Sequence, residues 1–263
     1  MTVFAIDDLI DLTREAGALA METYGRPHNV ATKQDNSPVT EADLAVDNLI
    51  FPALKKRFPD IPIVTEERAA THAVMPESAS FFLIDPIDGT KEFIKKTGEF
   101  TINIALIEAG RPVAGIVYAP AIGRMFVGAI NSGAREIGAD GSSRKISVRE
   151  CPEQQTAVAS RSHLTKETET FIAENKIYDC VNAGSSLKFC LVAAGEADIY
   201  PRFGPTMEWD TAAGHAVLAA AGGQVLTCDG TPLSYGKSQF RNPYFIAGSP
   251  TAHYSIPASV RTM

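Results

Sequence analysis

Residues 82–91 read Phe-Leu-Ile-Asp-Pro-Ile-Asp-Gly-Thr-Lys, an apolar run that leads into a turn with two carboxylates. Asp88 follows Asp85 by three residues, so a tight turn would bring the two side chains together. Gly89 permits a close backbone approach, and Thr90 has the chemistry of a helix cap. Two adjacent carboxylates repel each other unless protons or cations neutralise them. The stretch therefore predicts a buried strand that ends at Asp85, a carboxylate turn and the start of a helix.

A hard cation is the partner that suits this turn. The free N–H groups at a helix start attract an anion, and Mg²⁺ can lie between an anion and carboxylates because it also accepts water and phosphate oxygens. The plain alternative is a polar turn whose side chains only satisfy backbone groups. An EF-hand loop, in which ligands alternate along the chain, fits poorly. The histidines show no pairing typical of zinc, and the D-x-D motif of haloacid-dehalogenase-type phosphatases is not supplied.

Three further segments carry acids that would complete a metal site. Glu66, in Thr-Glu-Glu, follows a short predicted strand, where it would face the site or belong to a solvated loop. Thr40 and Asp43 have the spacing of a capping box, so Asp43 is either a helix cap or a site residue. Asp210 opens an alanine-rich helix, where it would favour the helix dipole or close the metal site across a cleft.

Composition and charge restrict the class of protein. The chain has 263 residues, of which 45% are hydrophobic, and its net charge is −7. It can therefore build one large domain or two small packed ones, and it lacks the broad basic surface that binds nucleic acid polymers. Asp7 and Asp8 interrupt the start before an apolar run develops, which argues against a signal peptide. The four cysteines form no C-x-x-C pair. We expect a cytoplasmic protein without a transmembrane segment, and peripheral association with the inner face of the membrane stays open.

Periodicity places secondary structure on both sides of the turn. Helices are predicted at residues 6–24, from residue 40, and at residues 168–174, 186–194 and 211–221. β-rich runs occupy residues 61–64, 80–84, 100–107, 113–118 and 125–127, and residues 108–112 read as a hairpin. The uncharged run at residues 211–228 contains a glycine pair, which favours a helix, a stop and a strand over a membrane span. The pattern changes near residue 131, which predicts an N-terminal α+β subdomain (residues 1–130) with the metal turn and a C-terminal α/β subdomain (residues 131–263), packed as one compact unit.

At these residues the chain resembles the inositol-monophosphatase superfamily of Mg²⁺-dependent, Li⁺-sensitive phosphatases. The D-P-x-D-G-T turn, the upstream Glu-Glu and the downstream Trp-Asp carry the resemblance. Residues 85–94, 98–105, 184–190 and 200–206 resemble the bisphosphate-nucleotidase branch, since inositol phosphatases usually have Thr-Asn-Phe after D-G-T. The resemblance implies a layered α/β/α/β/α sandwich with the site between two subdomains.

The same resemblance implies a metal-ligand set. Glu66, Asp85 and the backbone carbonyl of Ile87 would hold one Mg²⁺ ion. Asp85, Asp88 and Asp210 would hold a second, and Glu66 would assist a weaker third.

It also implies a way of binding phosphate and water. The N–H groups of Gly89 and Thr90 would hold the scissile phosphate. Thr90, with Glu66 or Asp43, would orient and deprotonate the attacking water, which would displace the leaving group in line without a covalent nucleophile.

Substrate choice is expected from the second half of the chain. Counterparts of His163, Gly184 and Lys188 contact the nucleotide in the family, and Arg161 is a further candidate cation. The alternative for Lys188 is an exposed lysine on a helix, and the alternative for His163 is a loop histidine that only forms hydrogen bonds. The predicted substrate-contacting set is Ile87, Asp88, Gly89, Thr90, His163, Gly184, Lys188 and Asp210.

The resemblance predicts a phosphomonoesterase that converts adenosine 3′,5′-bisphosphate to AMP and phosphate, and that also accepts 3′-phosphoadenylyl sulfate, in sulfur assimilation or nucleotide recycling. One alternative is an inositol or sugar monophosphate phosphatase on the same fold. Another is a catalytically silent sensor of nucleotides or cations. Loss of Asp88, Thr90 or Glu66 would favour the silent sensor, and all three residues are present.

Overall fold

The strand that leads into the carboxylate turn lies inside a sheet of seven strands. The computed structural model describes residues 5–27, 29–32, 38–71, 80–160 and 165–261. The helices are α1 (Ile10–Tyr24), α2 (Glu41–Arg57), α3 (Thr90–Ile94), α4 (Lys166–Glu174), α5 (Leu187–Ala193), α6 (Ala212–Ala220) and α7 (Ala258–Arg261). The strands are β1 (Val30–Thr32), β2 (Pro38–Thr40), β3 (Ile63–Thr65), β4 (Ser80–Asp88), β5 (Thr101–Glu108), β6 (Arg111–Ala119), β7 (Arg124–Ala129), β8 (Gly133–Ile137), β9 (Ser143–Ile146), β10 (Thr156–Ser160), β11 (Asp179–Ala183), β12 (Ile199–Arg202), β13 (Gln224–Thr227) and β14 (Phe245–Gly248).

The two large sheets have different connectivity. The seven-stranded sheet runs β3-β4-β5-β6-β7-β8-β9, and within it only β3 and β4 are parallel. The five-stranded sheet runs β11-β10-β12-β14-β13, with β10 parallel to both of its neighbours. Strands β1 and β2 form a small hairpin ahead of α2. Consecutive antiparallel strands thus build the first sheet, while helices connect several strands of the second.

Alternating side chains divide the core into layers. On β4, Phe82 and Ile84 pack in one hydrophobic cluster with residues of α1 and α2, whereas Phe81 and Leu83 pack in another with residues of α5 and α6. This alternation follows from the two-residue period of a strand. The cluster around α5 and α6 also includes residues of the five-stranded sheet. Helices α4 and α7 cover the outer face of that sheet. The order is helix, sheet, helix, sheet, helix, which confirms the predicted α/β/α/β/α sandwich.

Helix α6 lies directly on β6 and β7 because the facing residues are small. A Cβ atom on Gly115 would lie 2.6 Å from the carbonyl oxygen of Ala213, and one on Gly128 would lie 2.6 Å from Cα of Val217. Side chains at these two positions would push the helix off the sheet. The close approach matters for the site, since Asp210 lies two residues before this helix, next to its N-cap residue Thr211.

The predicted elements agree with the structure, with two corrections in the turn. Thr90 is not the helix cap: it is the first residue of α3, Gly89 holds the cap position, and no side chain among the described residues caps this helix start. Strand β4 does not end at Asp85 but continues to Asp88, with an irregular register against β5 between these two residues. The predicted hairpin joins β5 to β6, with positive φ at Ala109 and Gly110. The division near residue 131 stays a prediction. Strands β8 and β9 extend the first sheet, so a division between the two sheets would fall after Ile146.

None of the helices in the described ranges is long and apolar enough to cross a bilayer. The uncharged run at residues 211–228 forms α6, a turn with Gly222 and Gly223, and β13, as the sequence predicts.

Candidate active site

Three carboxylates from three separate segments meet at one place. Oxygen atoms of Glu66, Asp85 and Asp210 lie within 4.8 Å of one another. The parallel pairing of β3 with β4 places Thr65 opposite Ile84, which brings Glu66 and Asp85 to the same end of the sheet. Asp210 arrives from the second half of the chain, at the start of α6. The structure therefore brings together the predicted acids of both halves.

Burial and mutual repulsion disfavour negative charge on these carboxylates. Asp85 is 1% exposed. Burial, and then the negative charges of Glu66, Asp88 and Asp210, raise the pKa of Asp85 well above its usual range. Burial and the charges of Asp88 and Glu66 do the same for Asp210. A divalent cation would relieve this repulsion, and a donor set made only of oxygen atoms suits a hard ion such as Mg²⁺. The residues present thus fit the predicted metal.

The backbone of the turn is shaped by local hydrogen bonds and by one glycine. The N–H of Ile87 donates to Asp85 Oδ1 over 3.0 Å, which fixes the carboxylate against its own strand. The side chain of Ile87 is buried in the core. Gly89 has φ +89° and ψ +45°, a left-handed conformation that favours glycine, and it precedes α3. The bend at Gly89 therefore places Gly89 and Thr90 at the site, and any other residue type at position 89 would be strained.

The two carboxylate oxygens of Asp43 accept hydrogen bonds from two different residues, Thr40 and Thr90. Oδ2 accepts a hydrogen bond of 2.8 Å from the N–H of Thr40, and the Thr40 hydroxyl also donates to it. This is the predicted capping box of α2. Oδ1 accepts a hydrogen bond of 3.3 Å from the hydroxyl of Thr90. The helix cap and the contact with the turn therefore coexist in one carboxylate.

Asp88 is held by two residues that the sequence analysis missed. The hydroxyl of Ser186 lies 2.9 Å from Asp88 Oδ2 and 2.6 Å from the backbone oxygen of Asp210. The side-chain amide of Asn103 donates to Ser186 Oγ over 2.9 Å and approaches Asp88 Oδ2 at 3.4 Å. Both residues lie in segments that carry the family resemblance, at residues 98–105 and 184–190, but their type alone does not distinguish them from ordinary polar residues.

A cavity of about 450 Å³ joins the acids to residues of the second half. Glu66, Asp88 and Asp210 line it together with Lys188 and Arg202. The lining further includes Gly89, Thr90, Lys91, Glu92, Ser160, Thr165, Ser185, Tyr200, Gly204, Pro205, Thr206 and Thr211. The cavity is therefore wide enough for a substrate larger than the phosphate alone.

Lys188 is buried, which excludes the alternative of an exposed helix lysine. It is 5% exposed, and its ammonium donates to the backbone oxygen of Ser185. Burial lowers the pKa of Lys188 to about 8, although the charge of Asp88 opposes the shift. Burial raises the pKa of Asp88, and the charge of Lys188 and the hydrogen bond from Ser186 offset part of that rise. A cation is thus set next to the acidic cluster.

Arg202 is a further cation in the cavity that the sequence analysis did not assign. Its Nη2 donates to the backbone oxygen of Pro205 over 3.0 Å, and its buried Nε has no hydrogen-bond partner among the described atoms. The residue lies in the quoted segment at residues 200–206. The available signal was its position after Pro201 and three residues before Pro205, since prolines restrict the backbone that holds it.

Two of the predicted substrate-contacting residues do not line the cavity. Ile87 is buried, and Gly184 allows a close contact between segments, since a Cβ atom there would lie 2.7 Å from the backbone oxygen of Glu99. The N–H of Gly184 donates to Glu99 Oε2 over 3.1 Å. His163 and Arg161 lie outside the described residues.

Comparisons with known proteins cover both halves of the chain. The sequence matches the Inositol monophosphatase family over residues 4–258. It is 44% identical over 243 residues to a protein of Escherichia coli named 3′(2′),5′-bisphosphate nucleotidase CysQ. The matched region covers 91% of this chain and 98% of that protein. The crystal structure of CysQ from Bacteroides thetaiotaomicron, described as a bacterial member of that family, is 36% identical with a TM-score of 0.79 and covers 94% of this chain and 97% of its own. An IMPase structure from Thermotoga maritima is 29% identical with a TM-score of 0.77 and covers 93% and 92%.

Proposed function

We infer that this chain, which belongs to the inositol monophosphatase family, is a 3′(2′),5′-bisphosphate nucleotidase of the CysQ type. It hydrolyses the 3′-phosphate of adenosine 3′,5′-bisphosphate to give AMP and inorganic phosphate, and 3′-phosphoadenylyl sulfate is a second proposed substrate. Relatives with that name are 44–45% identical over 91% of the chain. The observation that carries the proposal is that one cavity is lined by the acids Glu66, Asp88 and Asp210 and by the cations Lys188 and Arg202. We also propose that it acts in the cytoplasm.

The metal set proposed for this site is two to three Mg²⁺ ions. Glu66, Asp85, Asp88 and Asp210, with the backbone carbonyl of Ile87, would hold them. When bound, the ions polarise the phosphoryl group and stabilise negative charge on the attacking and leaving oxygens. The clustering of three of these carboxylates within 4.8 Å supports this assignment.

The chain's own residues then position the scissile phosphate and the water. The N–H groups of Gly89 and Thr90 donate to phosphoryl oxygens from the bend ahead of α3. The hydroxyl of Thr90 donates to Asp43 Oδ1, at 3.3 Å, and so presents a lone pair to a hydrogen of the attacking water. Either Asp43, through Thr90, or Glu66 accepts the proton as the water attacks phosphorus in line with the leaving 3′-oxygen, which takes a proton from solvent water to become the 3′-hydroxyl of AMP.

The second phosphate is the group that distinguishes a bisphosphate nucleotide from a simple monoester. Lys188 and Arg202 would bind it with charge-assisted hydrogen bonds, which exceed neutral ones in strength. This local pair of cations explains how a chain of net charge −7 attracts a polyanion. His163 and Gly184 remain proposed contacts to the nucleotide, by family resemblance.

Phosphate release from a matched panel of substrates tests the proposal. The panel contains adenosine 3′,5′-bisphosphate, 3′-AMP, which lacks the 5′-phosphate, and an inositol monophosphate, each with Mg²⁺. We expect the largest kcat/KM for the bisphosphate, and 3′-AMP to report what the 5′-phosphate contributes. Asp88→Asn serves as the inactive control, because it removes a metal charge while keeping the size of the side chain. A preference for the inositol ester would overturn the substrate assignment, and nucleotide binding without phosphate release would indicate a sensor.

A further inference from the structure

Ser186 lies where the two halves of the site meet. It is 1% exposed and directly precedes α5. Its hydroxyl reaches the side chain of Asp88, which comes from the seven-stranded sheet, and the backbone of Asp210, which precedes α6. Asn103, from β5, is 0% exposed and donates to the same hydroxyl. Residues from β4, from β5 and from the segment before α6 thus meet at the hydroxyl oxygen of Ser186.

The hydrogen-bond chemistry of this junction is restrictive. A serine hydroxyl has a single hydrogen to donate, and here two acceptors compete for it, Asp88 Oδ2 at 2.9 Å and the Asp210 carbonyl at 2.6 Å. The amide of Asn103 supplies the donor that fills the hydroxyl's accepting side. The hydroxyl hydrogen is therefore shared between Asp88 Oδ2 and the Asp210 carbonyl, which links the two residues at one point, and Asn103 is a second donor near the same oxygen of Asp88.

We propose that Ser186 is a positioning residue that holds Asp88 and Asp210 in the spacing required to bind the metal, with Asn103 orienting the hydroxyl. This inference rests on the metal site of the proposed function. Ser186 itself contacts neither metal nor substrate. Groups that orient metal ligands in this way typically contribute about 10- to 100-fold to metal affinity.

The geometry favours this role over a purely structural one. Without the hydroxyl, the remaining side-chain donor to Asp88 Oδ2 among the described residues would be Asn103 at 3.4 Å, which is too long for a strong hydrogen bond. The carboxylate would then be free to rotate, and metal binding would have to order it. The link to Asp210 would also be lost, although the N–H of Met207 would still hold Asp210 Oδ2 at 2.8 Å. The expected defect is therefore in metal affinity, beyond any loss of stability.

Two variants and one matched control separate these effects. Ser186→Ala removes the hydroxyl, and Ser186→Cys replaces it with a weak donor while filling the space. Ser249→Ala is the control, because Ser249 is 3% exposed and its hydroxyl pairs with Thr251 at the end of β14. Each protein is stripped of metal, and its thermal unfolding midpoint is measured without substrate against increasing MgCl₂. The rise of the midpoint gives the apparent Kd for Mg²⁺.

We expect both Ser186 variants to bind Mg²⁺ at least about 10-fold more weakly than wild type, and Ser249→Ala to bind it within about twofold. Unchanged Mg²⁺ affinity in both Ser186 variants would overturn the positioning role while leaving the metal site intact. Equal weakening in Ser249→Ala would also overturn it, since the effect would then reflect general loosening. A wild-type midpoint that does not respond to Mg²⁺ would overturn the proposed function itself, and the role of Ser186 with it.

Discussion

Replacing Lys188 with Met should make the protein more stable and less active at the same time. Methionine keeps the length and the apolar stem of the side chain but removes the ammonium group. Lys188 is 5% exposed, so its charge is held away from water. A buried charge that is retained at a stability cost is typical of a residue kept for binding.

The expected size of the stability change follows from the pKa of Lys188. Burial lowers the pKa of Lys188 from 10.5 to about 8. The positive charge of Arg202 also lowers it, whereas the negative charge of Asp88 opposes the shift. At about 1.4 kcal/mol per pH unit, the protonated side chain costs about 3 kcal/mol below pH 8. Removing its hydrogen bond to the Ser185 carbonyl offsets part of this, so we expect a net gain of about 1–2 kcal/mol.

The sign of the pH dependence is specific to a lysine whose pKa is lowered. Between pH 8 and 10.5 the unfolded chain binds more protons than the folded one, so wild-type stability rises with pH across this window relative to the Met variant. The advantage of Lys188→Met should therefore shrink by about 2 kcal/mol between pH 7.5 and pH 9.5.

Urea unfolding of the metal-free proteins at these two pH values measures the difference directly. Lys145→Met is the matched control, because Lys145 is exposed on β9. In steady-state kinetics, Lys188→Met should lower kcat/KM for the bisphosphate by about 10- to 100-fold, since one charge-assisted contact is worth about 1.5–3 kcal/mol. An inositol monophosphate should be affected much less. A Met variant that is less stable than wild type at pH 7.5, or equal losses on both substrates, would refute the argument.

Two further predictions concern the water and the fold. Thr90→Ala should lower kcat on every substrate by about 100-fold or more, because the same water attacks each one, while Thr90→Ser should retain most activity; equal kcat in the Ala variant and wild type would exclude the proposed proton path. Burial by itself would raise the pKa of Glu136, but hydrogen bonds and charges from Arg124 and Arg144 outweigh it, so the pKa is lowered. Its contribution to stability is present above the unfolded pKa near 4.5 and is lost as pH falls through the folded pKa. Glu136→Gln should therefore be less stable than wild type at pH 7, with a difference that vanishes under acid in urea unfolding; a constant difference would show that the charge is irrelevant.

Local chemistry made the carboxylate turn predictable. The apolar run, the two acids and Gly89 each constrain their immediate neighbours, so strand, bend and helix follow from adjacent residues. The end of β4 was misplaced because the strand continues through Pro86 to Asp88, and proline normally breaks the ladder of a strand. The irregular register against β5 accommodates it. Tertiary pairing thus overrode the local signal.

Contacts between distant segments were beyond local reasoning. The residues next to Lys188 are apolar and buried, which indicates a buried helix. The partners of its ammonium are not indicated locally, since they are Tyr200, Asp88 and the backbone at Ser185. Ser186 and Asn103 lie 83 residues apart, and each is an ordinary polar residue in its own segment. Their function follows only when the two sheets are stacked.

Asp43 shows why a choice between a structural and a functional role can be the wrong question. Its spacing from Thr40 predicts a helix cap, and a cap requires only one carboxylate oxygen. The structure uses Oδ2 for the cap and Oδ1 for the hydroxyl of Thr90. The cap therefore orients the second oxygen toward the turn. An Asp43→Asn variant would keep the shape but place an amide on one of the two sides, so either the first turn of α2 or the bond to Thr90 would lose its acceptor. Because both roles use the same rigid group, the stability of that helix start and the placement of the water-orienting threonine are coupled through a single side chain.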